Sequence, residues 1–547
     1  MLQLQAGKLP FPDDNDRVIQ LQPQGTAPEQ PANTHFPLQT TTHSIDAPKS
    51  ADSELDEVSI SLANACLHTF RLRMLPHFPF IDIPHLTTVD QLQRDRPYLL
   101  RAIVCVASPT ARERRSRAIK LKRVLCEAAF LQESVEQNAE DRTVDLLLAI
   151  LTYAAWGWDY LHGSGTSSLS RLVMLAMSLV GEMRLDKPPP PDIHTLTLFT
   201  PLGLSVDSSS PGSGPASTHH FLERQRAVLA CYVLTSAVSA YFGHVDGLRW
   251  TPEMDESLVA ISTNRDCPTD GILSMQVRLQ LLAAEARRNR ASQQQHNNPI
   301  LTQSQAETLL GQLQEIRGRF RSSGVEQHKD VLAQMADTEL CILESVYPAS
   351  STGTPVTTCT PVSSNVSTGS GSHSSPGAGS SGGPLAFLWQ SLLAIESCTS
   401  SLLALSPVDF LGISFVQWAQ VTHSVVILHH LDAVQDPSWD LSAVRGVVDL
   451  PIMLDQLTGK LKRAAAESGE QNPGDVFTQL ATGIHKFRAG MRVAHDRDEG
   501  NEDFEMDLEA QAEDSNGINR NTTGSVTQTG PQRGHFRNPR FWLDQIF

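Results

Sequence analysis

Apolar positions recur at three- and four-residue steps over most of this chain, the pattern of helices that turn one face to a core. The first such run puts Leu55, Val58, Leu62, Cys66 and Phe70 on one stripe, and the proline-containing stretch LPHFPFIDIP at 75–84 stops it. PYLLRAIVCVAS (97–108) opens with a proline at a first helical position. Helices are predicted next over 111–137, 143–163 and 168–185. The second of these is nearly all apolar, as a helix surrounded by others should be. Its longest apolar run, Leu146 to Trp158, lies between Asp145 and Asp159 and is too short to span a bilayer. Leu172, Leu175, Ala176, Leu179 and Met183 form the next stripe, and Leu222, Leu229, Val233, Ser236 and Ala240 share a face in 219–243. Further helices are predicted over 269–292, 303–321, 325–346, 385–405, 411–432, 441–465 and 473–493. No alternating strand pattern bounded by hairpin turns interrupts them. The predicted fold class is all-α, with no internal repeat of fixed period.

Composition divides this pattern into segments. The hydrophobic content of 40% suits a helical core, while the 34 glycines and 33 prolines crowd into stretches that cannot bury enough apolar surface to fold. Residues 1–52, rich in Gln, Pro, Thr and Asp, read as a disordered N-terminus. A helical region covers 53–348, with a flexible Ser/Gly/Pro linker near 203–218. Residues 349–384 read as a low-complexity Ser/Thr/Gly/Pro insertion, 385–494 as the C-terminal helical part of the same core, and 495–547 as a disordered acidic tail with an apolar end. The N-terminus has no apolar segment of the signal-peptide kind, so a soluble intracellular protein without a membrane span is expected.

Charge and cysteine spacing narrow the function. A net charge of −17 is wrong for a body that wraps nucleic acid, because phosphate binding needs clustered Lys and Arg. The eight cysteines form no C-x-x-C pair, so a zinc site built on paired thiolates is not expected, and small buried hydrophobes are the reading preferred for most of them. No phosphate-cradling loop, no H-E-x-x-H and no G-x-S-x-G occurs, and the G-x-G at Gly163 and Gly165 follows a helix and reads as its terminator. The adjacent pairs His219-His220 and His429-His430 point about 100° apart on a helix and cannot readily clamp one ion. His423 is near His430 in helical phase, but no carboxylate or cysteine is placed in the sequence to complete a set. No catalytic residue, cofactor or metal is therefore expected, and the chain is read as a non-enzyme.

Two clusters remain as candidates. Arg112, Arg114, Arg115, Arg117, Lys120, Lys122 and Arg123 make the one strong cationic group. It reads as a solvated helix face, a nuclear-import signal or, least favoured, a DNA contact, with Ile119, Leu121, Val124 and Leu125 suggesting one buried side. In 495–514, ten acidic residues against one arginine surround Phe504, Met506 and Leu508. That pattern fits an activation segment that keeps apolar residues available to a partner groove, and fits a solubilising tail equally well. The final residues, Arg540 to Phe547, are apolar enough to dock on the core or on a partner.

Four segments in shared order carry a resemblance. They are FRLRMLPHFPFIDIP with RPYLLRAIVCVAS; LLLAILTYAAWGWDYLH with RLVMLAMSLVGEMRLDKPP; ERQRAVLACYVLTSAVS with GLRWTPEMDESL; and FVQWAQ with DPSWD and VRGVVD. Over about 54–465 the chain resembles the middle homology regulatory region of fungal zinc-cluster transcription factors, closest to regulators of secondary-metabolite clusters. The resemblance implies a helical regulatory domain, a nuclear location, and partners among the transcription machinery or other regulators, in a homo- or heterodimer. It transfers no functional residue: Arg226, for instance, is read as an ion pair at a helix terminus or core edge rather than an effector ligand. Family members normally begin with six zinc-binding cysteines, and here the first 65 residues hold none. The expectation is a regulator that acts through protein contacts without its own cluster, the alternatives being a modulator that pairs with a full-length zinc-cluster partner and a piece of a longer gene product whose cluster is encoded upstream.

Overall fold

The computed structural model describes residues 59–131, 139–157, 165–187, 215–243, 245–264, 267–296, 299–322, 328–346, 384–410, 412–434, 436–467 and 477–489. Every regular element among them is helical, so the all-α prediction holds. Helix α1 (Ile60–Thr69) starts at Ser59, whose hydroxyl accepts from the Leu62 amide at 3.2 Å. It runs into a π-helical turn at Phe70–Met74 and a 3-10 turn at Leu75–His77, where Pro76 prevents the α ladder from continuing. The chain then forms α2 (Val89–Asp95), α3 (Pro97–Val106), α4 (Ala111–Phe130), α5 (Ala139–Trp156) and α6 (Gly165–Glu182). It continues with α7 (Pro215–Phe242), α8 (Pro252–Thr263), α9 (Asp270–His296), α10 (Pro299–Ser322) and α11 (Lys329–Glu344). The last part holds α12 (Pro384–Leu403), α13 (Pro407–Phe410), α14 (Phe415–Asp432), α15 (Leu441–Val447), α16 (Leu450–Glu467) and a helix over 477–489.

The departures from the predicted elements have local causes. Helix α2 is seven residues long, too short to show a period, and is set by the capping box of Thr88 and Gln91. Helix α8 also escapes the periodic pattern; Pro252 stands in its first turn, with Glu253 and Asp255 beside the helix N-terminus. Helix α7 begins at Pro215, inside the expected linker, and α6 begins at Gly165, which therefore starts a helix rather than ending one. The single helix predicted over 441–465 is two, because the chain is extended at Val448 and Pro451 is tolerated only in the first turn of a helix, here α16. Ile119 is 59% exposed, so the buried side of α4 is Ala118, Leu121 and Leu125 instead.

Four helices form the centre. Residues Leu146–Leu151 of α5, Ala227–Leu234 of α7 and most of α11 and α14 are buried on all sides. This is why the stripe predicted for α7 covers only part of its buried surface: a helix enclosed by others has no polar face to mark the phase. Helix α11 packs on α9, α10, α12 and α14, and α5 on α3, α6, α7 and α14. A smaller cluster joins α9, α10 and α11 through Leu279, Leu309, Leu313, Phe320 and Met335. No helix among the described residues is long and apolar enough to cross a membrane.

Buried polar groups lock these helices together. Asp145, 1% exposed on α5, accepts from the Tyr98 and Leu99 amides at 2.8 and 2.9 Å and so caps α3. Burial outweighs those two bonds and nearby Arg96, and pushes its carboxyl up to about 7. Arg96, the residue preceding α3, pairs with Glu223 of α7. The carbonyl of His77 accepts from Gln276 of α9 and Gln417 of α14, both at 2.9 Å, while its ring meets Asp330 of α11 at 2.8 Å. One residue of the proline-rich turn thus ties α9, α11 and α14 together.

Candidate functional site

The basic residues of the cationic cluster all lie on α4, but the structure divides them. Arg114 donates to the Ser108 carbonyl at 2.9 Å, and Arg117 pairs with Glu113 at 3.1 Å and with the Ser108 hydroxyl. Lys122 lies over the Tyr153 ring, 5.9 Å from its centroid. These three are half-buried and face the body. Arg112, Arg115, Lys120 and Arg123 are exposed and present the outward basic surface. Phe504, Met506, Leu508 and the apolar C-terminus lie outside the described residues.

The densest buried chemistry is elsewhere, where α7, α9, α11 and α14 meet. Asp337, Cys341 and Glu344 are four and three residues apart on α11, so they share one face. That face meets His423 of α14, whose Nδ1 is 2.7 Å from Asp337 Oδ1 and 4.0 Å from Cys341 Sγ. Its Nε2 is 3.3 Å from Glu344 Oε2. The side chains of His423, Asp337 and Glu344 are 12%, 6% and 16% exposed. Two arginines of α9 compensate the carboxylates: Arg287 donates to Cys341 Sγ at 3.5 Å, and Arg290 pairs with Glu344. The Tyr241 ring closes the α7 side, edge-on to His423 at 6.1 Å.

The electrostatics follow from this enclosure. Burial alone would raise the Glu344 carboxyl, but the His423 hydrogen bond and Arg290 outweigh it and hold it at about 2. Burial alone would lower His423, yet Tyr241, Cys341 and Asp337 around it hold its pKa well above the ordinary imidazole value. Sequence spacing relates His423 only to residues of its own helix, where no partner set occurs. The structure corrects the expectation that none exists: the carboxylates and the thiol come from α11, more than 75 residues away in the chain. The spacing Asp-x3-Cys-x2-Glu was the available signal, though nothing in it names its partner. The other cysteines behave as expected for core residues: Cys66, Cys105, Cys231, Cys267 and Cys398 are buried, burial pushes the Cys398 thiol up to about 12, and only Cys126 among those described is exposed.

Arg226 forms an ion pair at a helix terminus, as expected, with Asp270, the first residue of α9, and the pair lies inside the core rather than at its edge. Arg226 meets Asp270 at 2.6 and 2.9 Å, with side chains 3% and 1% exposed.

The described residues form an all-helical body with buried ion pairs between its helices. The family described as ATEG07667_C, C-terminal domain, matches residues 407–546. The chain is 29% identical over 418 residues to a "Transcription factor" of Aspergillus terreus (strain NIH 2624 / FGSC A1156), covering 74% of this chain and 56% of that protein. It is 26% identical over 444 residues to "Transcription factor opdL" of Penicillium oxalicum (strain 114-2 / CGMCC 5302), covering 79% of this chain and 71% of the relative. It is 22% identical over 269 residues to "Transcription factor himD" of Aspergillus japonicus, covering 49% and 41%. The chain is thus similar to proteins named as fungal transcription factors, and it spans little more than half the length of the Aspergillus terreus protein. No solved structure matches it.

Proposed function

We propose that the chain is a non-enzymatic transcription regulator of the fungal zinc-cluster type that acts in the nucleus through protein contacts. Its setting is the control of a secondary-metabolite gene cluster. The observation that carries the reading is the extent of the similarity: it runs over 418 and 444 residues of two proteins named transcription factors, the length of the helical body rather than of a motif. The net charge of −17 supports action of this region through protein rather than through direct phosphate contact. In a gel-shift assay of the purified chain on promoter fragments, no zinc-dependent, sequence-specific shift is expected. Such a shift overturns the proposal that this chain does not read DNA alone.

The exposed Arg112, Arg115, Lys120 and Arg123 serve in this reading as the nuclear-import surface. Replacing all four with alanine in the fluorescently tagged chain is expected to move it from nucleus to cytoplasm. Nuclear retention of that variant at wild-type levels assigns import to another segment.

A further inference from the structure

We propose that Asp337, Cys341 and His423 form a zinc site inside the helical body, with Glu344 as the positioning residue for the histidine. A thiolate, an imidazole and a carboxylate together suit zinc, a borderline-soft ion that takes nitrogen, sulfur and oxygen donors. The three donor atoms already lie within 4.8 Å of one another. A tetrahedral zinc with bonds of about 2.0–2.3 Å sets its ligand atoms roughly 3.3–3.8 Å apart. The Asp337–His423 contact of 2.7 Å has to open and the Cys341–His423 contact of 4.0 Å to close, each by about an ångström or less.

The surroundings fit the same assignment. His423 turns Nδ1 to the other two donors and Nε2 to Glu344, which Arg290 holds from the far side. A carboxylate on the distal nitrogen of a metal-bound histidine fixes its tautomer and increases its basicity. Arg287, beside Cys341 Sγ, is already paired with that side of the cluster. Three protein ligands leave one tetrahedral position for water. The site is independent of the proposed role in transcription, and its failure leaves that role untouched.

Cobalt(II) titration of the full chain, after chelator treatment, is the direct test. One equivalent is expected to give visible d–d bands of tetrahedral intensity and a thiolate-to-cobalt charge-transfer band, both removed by one equivalent of zinc. Cys341→Ser is expected to lose the charge-transfer band with its far-ultraviolet circular dichroism unchanged, while Cys267→Ser, a buried cysteine elsewhere, keeps it. Glu344→Gln is expected to weaken zinc binding by about 10–100-fold. The absence of a thiolate band at stoichiometric cobalt, or its survival in Cys341→Ser, overturns the site. If Cys341→Ser fails to fold, the wild-type chain decides: after chelator treatment, one equivalent of zinc must raise its urea unfolding midpoint, and an unchanged midpoint overturns the proposal.

Discussion

Arg226→Ala is expected to destabilise the helical body by about 3–5 kcal/mol, the range for removing one partner of a buried ion pair. Arg226 Nε and Nη2 meet both carboxylate oxygens of Asp270, at 2.6 and 2.9 Å, in a bidentate fork that only arginine can make. Asp270 is the first residue of α9, so its charge also faces the helix N-terminus. After truncation the carboxylate stays buried with the Asn264 amide at 3.2 Å, a neutral donor in place of a guanidinium. The pair itself contributes less than its loss costs, because both charges were desolvated to make it. Arg226→Met with Asp270→Leu is therefore expected to be more stable than Arg226→Ala alone. Urea unfolding followed by circular dichroism measures both. An Arg226→Ala midpoint equal to that of the wild-type chain means that the pair does not tie α7 to α9.

Arg226 is legible in the sequence as an ion-pairing residue because a charged group inside an apolar helix must find a partner. Its depth is not legible, since α7 is apolar on all sides and periodicity fails where no face meets water. The same limit applies to the polar centre. Asp337, Cys341 and Glu344 share a face by spacing alone, but the proximity of His423 depends on how α11 and α14 cross. His77 is a still longer case, joined to Asp330 across 253 residues and to Gln417 across 340. Helix α3, eight of whose ten residues are buried, is placed nearly to the residue by Pro97 in its first turn rather than by a wet side. The elements that periodicity misses are short, or held by caps rather than by a stripe.

Gly412→Ala is expected to cost about 2–6 kcal/mol, near the upper end. A Cβ at this position would stand 1.5 Å from the Arg73 carbonyl oxygen and 2.6 Å from its carbon. Those are backbone atoms of the π-helical turn, and no rotamer change relieves the clash. The chain between α13 and α14 must move away from that turn, which overpacks its neighbours by about 1–3 kcal/mol or more. The movement also withdraws the Gly412 carbonyl, which accepts from Trp156 Nε1 at 2.9 Å. Trp156 is fully buried between Phe70, edge-on at 5.3 Å, and Phe80, stacked at 6.1 Å, so water cannot replace the lost acceptor. An orphaned indole N–H adds about 1–3 kcal/mol. Two controls separate the contributions. Trp156→Phe removes the hydrogen bond without the clash and is expected to cost less than Gly412→Ala. Gly459→Ala, within α16 and with nothing inside 4 Å of the added carbon, is expected to raise stability by up to about 1 kcal/mol through helix propensity. A Gly412→Ala unfolding midpoint equal to or above the wild-type value would show that α13 and the π-helical turn separate without strain. The close approach of the two backbones would then not be what seats Trp156 at the centre of the core.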